Sequence, residues 1–179
     1  MGYARKLLIL SFLFALGIVR QASGDEAVRT VAGLRGGMAL DDRKSSFRQY
    51  EAFIMRDLPW HWHLTKASDL RIRVEGTAGA MTSAGETGVI GSAGPNLVFS
   101  GFDGAVSLEG GVRIALLSRH RFGSEDLGGP LFFITHAGLG VRLSRNFSAG
   151  YRFQHMSNSS IYDCNPGLNM HLLELGYSF

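Results

Sequence analysis

Apolar and polar residues alternate one by one through much of this chain, and a fold has to satisfy that period of two before anything else. In the segment from Leu70 to Ala78, Leu70, Ile72, Val74 and Ala78 are apolar while Arg71, Arg73, Glu75 and Thr77 are polar. Successive side chains of a strand leave opposite faces, so the pattern predicts a strand with one greasy and one polar side. From Ala105 to Leu116 the same division sets Val106, Leu108, Val112, Ile114 and Leu116 against Ser107, Glu109 and Arg113. From Leu131 to Leu143 it sets Phe133, Ala137, Leu139, Val141 and Leu143 against Gly138, Gly140 and Arg142, and a short turn follows at Ser144-Arg145-Asn146. From Phe147 to Ser157, Phe147, Ala149, Tyr151 and Phe153 oppose Ser148, Gly150, Arg152 and Gln154. Weaker strand patterns cover Val28 to Met38, Phe47 to Arg56, Val89 to Phe102, and a short piece from His61 to Leu64 leading into Leu70. With a last strand ending in Leu173–Phe179 the count is about eight. Twenty-four glycines, four prolines and only 18% charged residues suit closely packed strands and argue against a helical bundle.

The first 24 residues read differently. Arg5 and Lys6 precede an apolar run from Leu7 to Val19, and Ala22-Ser23-Gly24 supplies small residues for cleavage before Asp25. That is the layout of a secretory signal, and the run is shorter than the ~20 residues a membrane-spanning helix needs. The expected organisation is a signal peptide over 1–24 and one domain over 25–179. The leader takes Arg5, Lys6 and Arg20 from 18 basic residues and leaves 15 against 15 acidic ones. A neutral mature domain carries no basic footprint, so no nucleic-acid partner is expected. The lone Cys164 permits no internal disulfide, so stability has to come from packing and backbone pairing.

Which way the faces point decides the compartment. A water-soluble sandwich would turn its polar face outward and load it with lysine, yet only Lys44 and Lys66 remain after the leader. The polar faces hold Gly, Ser and mixed-sign charges, Arg71, Arg73, Glu75, Glu109, Arg113, Arg142, Arg152 and Glu174, which can neutralise one another inside a narrow tube. Leu173, Leu175, Tyr177 and the terminal Phe179 share a face, which resembles the closing strand of bacterial outer-membrane barrels. The expectation is all-β: an eight-stranded antiparallel transmembrane β-barrel in the outer-membrane lipid bilayer of a Gram-negative cell. Eight strands enclose only enough room for side chains, and closure removes the edges that lipid would not tolerate.

His155 and Ser157 fall on the same odd-numbered face as Phe147, Tyr151 and Phe153, the face expected to touch lipid. At i and i+2 on one strand face their backbones stand roughly 6 to 7 Å apart, close enough for an imidazole to act as base on a hydroxyl. A bare His-x-Ser is common by chance, and a polar pair at the membrane interface is the plain alternative. With both termini periplasmic, the seventh strand ends outside at Ser157. The pair then lies near the outer leaflet, where a lipid substrate gives titratable groups on a lipid face a reason to exist.

His155-Met-Ser157-Asn158, Asn165-Pro166-Gly167-Leu-Asn169 and a final strand closing on Gly176-Tyr177-Ser-Phe179 together resemble the PagL family of outer-membrane lipid A 3-O-deacylases. The resemblance follows the mature chain in order, with Gly94-Pro95 in the middle strands and Asp126-Leu-Gly128-Gly129 before the sixth strand, and is most specific over residues 151–179. It implies an esterase acting on lipid A of lipopolysaccharide, with Ser157 as nucleophile, His155 as base and no cofactor. The family's acidic orienting residue corresponds to Asn169 here, an amide that can accept a hydrogen bond from the imidazole but supplies no charge. Asp163 is a carboxylate that would compensate, and His171 shares the outward face of the last strand with Asn169. Asn158 and Asn165 match positions that help hold the oxyanion, with loop capping as the alternative. A non-enzymatic structural or adhesion barrel and a soluble lipid carrier remain the rival readings, and association of two barrels as a homodimer stays open.

The other candidates are single features. His61 and His63 share a strand face without a third ligand, and Trp60 and Trp62 read as interfacial anchors. His120 and His136 have no partner nameable from sequence. Cys164 as a nucleophile, and Arg119, Arg121 and Arg145 as phosphate ligands, are weaker than passive or solvated roles.

Overall fold

The computed structural model describes residues 29–40 and 47–179, so the expected leader lies outside the described residues. Strands form at β1 (Thr30–Met38), β2 (Arg48–Thr65), β3 (Ser68–Ser83), β4 (Glu86–Gly101) and β5 (Val106–Leu117). A two-residue hairpin, β6 (Arg121–Phe122) and β7 (Glu125–Asp126), precedes β8 (Leu131–Arg142), β9 (Phe147–Ser157) and β10 (Leu168–Ser178). The long strands close in the order β1-β10-β9-β8-β5-β4-β3-β2 with antiparallel neighbours throughout. This is the expected eight-stranded barrel, with the small hairpin set apart in the loop before β8.

Its outer surface is greasy. Leu34 (68% exposed), Val89 (64%), Leu173 (70%) and Leu175 (63%) stand fully out, and Ile54, Ile114 and Leu139 continue the belt. Such a belt is untenable in water and ordinary in hydrocarbon. Phe147, Tyr177 and Phe179 meet edge to face or stacked, with centroids 5.1 and 6.2 Å apart, at the end that holds the chain termini. That end has the short turns 66–67, 102–105 and 143–146, whereas the longer loops 118–130 and 158–167 lie opposite. Short turns mark the periplasmic side of such barrels and long loops the outside.

The middle of the lumen holds charge, as the mixed-sign polar faces imply. Glu75 is the hub: it accepts from Arg35, from Arg152 at 3.0 Å and from Asn96 Nδ2 at 2.7 Å, with Arg113 at 3.5 Å. Arg113 also donates to Gln154 at 2.9 Å and to Ser92 at 3.1 Å, and Arg152 pairs with Glu109. A buried cation deprived of its counter-charge is far more costly than an intact pair. Glu75→Ala is therefore expected to destabilise the barrel by about 3–5 kcal/mol, read as a lower temperature at which the folded, fast-migrating band is lost in electrophoresis.

The inward face is not polar along its whole length, which corrects the simplest reading of the alternation. Toward the extracellular loops Met81, Ile90, Leu117, Phe132, Ile134, Met156, Leu168 and Met170 fill the lumen, and Phe47 and Phe122 close over them with rings 5.3 Å apart. Here the hairpin loop covers the tube, water is excluded, and apolar packing needs no counter-ion. A second correction concerns β2. The His61–Leu64 piece continues β2 and does not lead into β3, because a bulge between Asp57 and His61 carries the strand past Pro59, whose nitrogen cannot donate to the ladder. β4 begins at Glu86 and β10 at Leu168, earlier than the alternation shows.

Candidate active site

β9 and β10 pair so that Asn169 lies directly opposite His155. Along β9, Arg152, Gln154 and Met156 are buried while Tyr151 and Phe153 stand outside, so His155 and Ser157 share the lipid-facing side at the end far from the termini. His155 Nδ1 and Asn169 Oδ1 are 2.7 Å apart. A carbonyl oxygen only accepts, so in the neutral ring Nδ1 carries the hydrogen and Nε2 keeps its lone pair, the tautomer a general base needs.

Behind the imidazole lies Gly167, with φ +60. A Cβ there would stand 3.1 Å from His155 Cε1. The glycine thus serves two needs, a left-handed turn into β10 and a flat wall for the ring. Gly167→Ala is expected to shift the imidazole and lower activity about 10- to 100-fold with the barrel intact; wild-type turnover in a folded variant would contradict this role.

The loop after Ser157 is tied down by Asn158, which is fully buried. Its Nδ2 donates to the Leu127 carbonyl at 3.0 Å and to the Cys164 carbonyl at 2.7 Å, and its Oδ1 accepts from Ser160 N–H at 3.0 Å. Both amide hydrogens are engaged, which is the loop-capping arrangement. Asn165 is exposed, and its Oδ1 accepts from Asn158 N–H at 3.1 Å, leaving Nδ2 on the opposite side of its amide. Asp163 is exposed in the same loop, while the His155 Nδ1 position next to which it would have to act is taken by Asn169.

His171 shares the outward face with Asn169 but turns to another partner: its Nδ1 and the Tyr151 hydroxyl are 2.5 Å apart, and its ring lies 5.2 Å from that of Phe153. His120, for which the sequence suggests no partner, bonds Asp126 at 2.9 Å, and His136 is buried in the lumen opposite Gln154. Arg119 and Arg121 are engaged by Glu86 at 2.9 Å and Asp126 at 2.7 Å, which accounts for them as loop ion pairs. Arg145 lies exposed in the turn before β9, on the periplasmic side. Cys164 is exposed, and its thiol donates to the Asp126 carbonyl at 3.2 Å. The His61 and His63 rings meet at 5.3 Å, and among the described residues no three His, Cys, Asp or Glu side chains gather to hold a metal. Sequence reasoning missed Gly167 as the wall of the imidazole; its place in the Asn165-Pro166-Gly167 run was the only available signal.

A family model for lipid A 3-O-deacylase (PagL) matches residues 48–178. The lipid A deacylase PagL of Pseudomonas aeruginosa is 27% identical over 178 residues, covering 94% of this chain and 96% of that one. The Bordetella bronchiseptica protein of the same name is 33% identical over 72 residues, which is 40% of either chain. Among solved structures, the outer membrane enzyme PagL superposes with a TM-score of 0.70 at 21% identity, over 83% of this chain and 98% of that one. Neisserial surface protein A superposes with a TM-score of 0.54 at 13% identity, over 88% and 100%. These two likenesses establish the shared barrel.

Proposed function

The chain belongs to the PagL family of lipid A 3-O-deacylases, and from that premise we propose that it removes the 3-O-linked acyl chain of lipid A in the outer leaflet with Ser157 as nucleophile, His155 as base and Asn169 as the residue that orients the base. The observation that carries this reading is the His155 Nδ1–Asn169 Oδ1 hydrogen bond at 2.7 Å on the lipid-facing side of the barrel. A polar pair held in one tautomer, next to a hydroxyl and among greasy neighbours, is costly unless it works on something in the membrane.

In the reaction, Ser157 Oγ attacks the ester carbonyl while His155 Nε2 takes the hydroxyl proton. The tetrahedral intermediate collapses, the sugar oxygen leaves with that proton from His155, and the acyl chain stays on Ser157. Water, deprotonated by the same nitrogen, then releases the fatty acid and restores the serine. Asn165 Nδ2, directed away from the Asn158 backbone, is the side-chain donor suited to the negative oxygen of the intermediate, whereas Asn158 acts by holding the loop. The amide of Asn169 fixes the ring but leaves the imidazolium without a counter-charge, so this enzyme runs a Ser-His-Asn set.

Mass spectrometry of lipid A from cells with and without the protein tests the activity: the expected result is loss of one 3-O-linked hydroxyacyl chain in expressing cells. An unchanged acyl count would favour a non-enzymatic barrel.

A further inference from the structure

We propose that Gly129 and Tyr162, with Gly128 and Asn158 beside them, form a positioning clasp that seats the 158–167 loop against His155 and Ser157; the inference rests on the reading of those two residues as base and nucleophile. The loop is continuous with the barrel at β9 and β10, and it carries Gly167 to the imidazole and Asn165 to the Asn158 backbone. Something outside the loop has to set its height, and the segment before β8 does so.

Gly128 has φ +98, and a Cβ on it would overlap the Cys164 carbonyl and the Asn158 amide. A Cβ on Gly129 would run into the Tyr162 ring. The two segments are therefore packed backbone to backbone and backbone to ring, an approach only glycine allows. Asn158 Nδ2 holds the same contact by bridging the Leu127 and Cys164 carbonyls, and Leu131 N–H adds only a long hydrogen bond to Tyr162 Oη at 3.3 Å. Beneath it Asp126 is itself braced, by His120 at 2.9 Å, Gly128 N–H at 2.8 Å and Arg121 at 2.7 Å. The His120 hydrogen bond, followed by that from the Gly128 N–H, holds the Asp126 carboxyl down to about 2, so the brace stays ionised at working pH. The Asp126-Leu-Gly128-Gly129 run meets the loop at Asn158, Tyr162 and Cys164, and it acts through Asn158 and Tyr162.

A displacement of about 1 Å at a nucleophile can cost about 100-fold in rate without weakening substrate binding. The test uses the protein folded in detergent micelles, with three readouts: kcat and KM for lipid A deacylation, the rate of covalent labelling of Ser157 by a fluorophosphonate, and the temperature of unfolding. For Gly129→Ala we expect kcat and labelling to fall about 30-fold, with KM changed less than about 3-fold and the unfolding temperature retained. Tyr162→Phe keeps the ring over Gly129 and should stay within about 3-fold of wild type, while Tyr162→Ala frees the loop and should lose as much as Gly129→Ala. In Gly129→Ala/Tyr162→Ala the new methyl enters the space left by the ring, so the double variant should be no slower than Tyr162→Ala alone. Losses that multiply in the double variant, or wild-type labelling in both single variants, overturn the clasp while leaving the Ser157–His155 reading standing. Should Gly129→Ala not fold, Tyr162→Ala decides by itself, because it removes a half-buried loop side chain that belongs to no strand of the barrel: unchanged kcat and labelling there overturn the proposal. If wild-type enzyme deacylates lipid A but Ser157 is never labelled and Ser157→Ala stays active, the nucleophile is elsewhere and the clasp falls with it.

Discussion

Ser157→Ala is expected to reduce lipid A deacylation by at least about 10⁴-fold, and His155→Ala by a similar factor, because nucleophile and base act as one unit. The double variant should be hardly worse than either single one. Neither side chain supports the barrel: both are half-exposed on the outer surface, away from the luminal charges and the apolar plug. The variants should therefore insert and unfold as wild type does, which separates lost chemistry from lost structure. The measurement is the 3-O-acyl content of lipid A by mass spectrometry together with turnover on purified lipid A. Residual activity above about 10% in either variant would remove Ser157 and His155 from their roles.

Changes at Asn169 are expected to move activity in both directions. Asn169→Ala removes the acceptor of the His155 Nδ1–H bond and frees the ring to turn, so kcat should fall about 100-fold. Asn169→Asp keeps an acceptor oxygen near the same place and adds the charge that stabilises the imidazolium formed as Ser157 attacks, so kcat should rise about 10-fold. KM should change little in both, since the role proposed for Asn169 is on the base and not on the lipid. A rise with Asp and a fall with Ala together would establish Asn169 as orienter. If both substitutions leave kcat unaltered, the hydrogen bond is a passive interface contact and another group orients His155.

Much of this molecule can be read without coordinates, since a closed barrel in lipid obeys a local rule. Parity along β9 sorts Tyr151, Phe153, His155 and Ser157 to one side and Arg152 and Gln154 to the other, whatever the neighbouring strands do. The scarcity of lysine then tells which side meets lipid. The pairing of His155 with Asn169 was less accessible: it depends on the register between β9 and β10, which the length and shape of the 158–167 loop determine. The motif spacing of a related family pointed to that pairing, and periodicity did not.

Parity fails where a residue's surroundings come from distant strands. Met81, Met156 and Met170 occupy the inward side that elsewhere holds arginine and glutamate, and nothing in their own segments announces the change. They are dry because the loop carrying Phe122 folds over that end of the tube. The capture of His171 by Tyr151 is of the same kind, a product of neighbours in space.

Alternation and a near absence of lysine were sufficient to assign the architecture and the membrane, since each follows from forces that act within one strand or between a side chain and its solvent; His155 and Ser157 as a reacting pair are a proposal that a short family motif carries. The seating of the loop on Gly128 and Gly129, the wall Gly167 offers to the imidazole, and the dry upper lumen needed the closed barrel, because steric exclusion between segments far apart in the chain exists only once those segments have met.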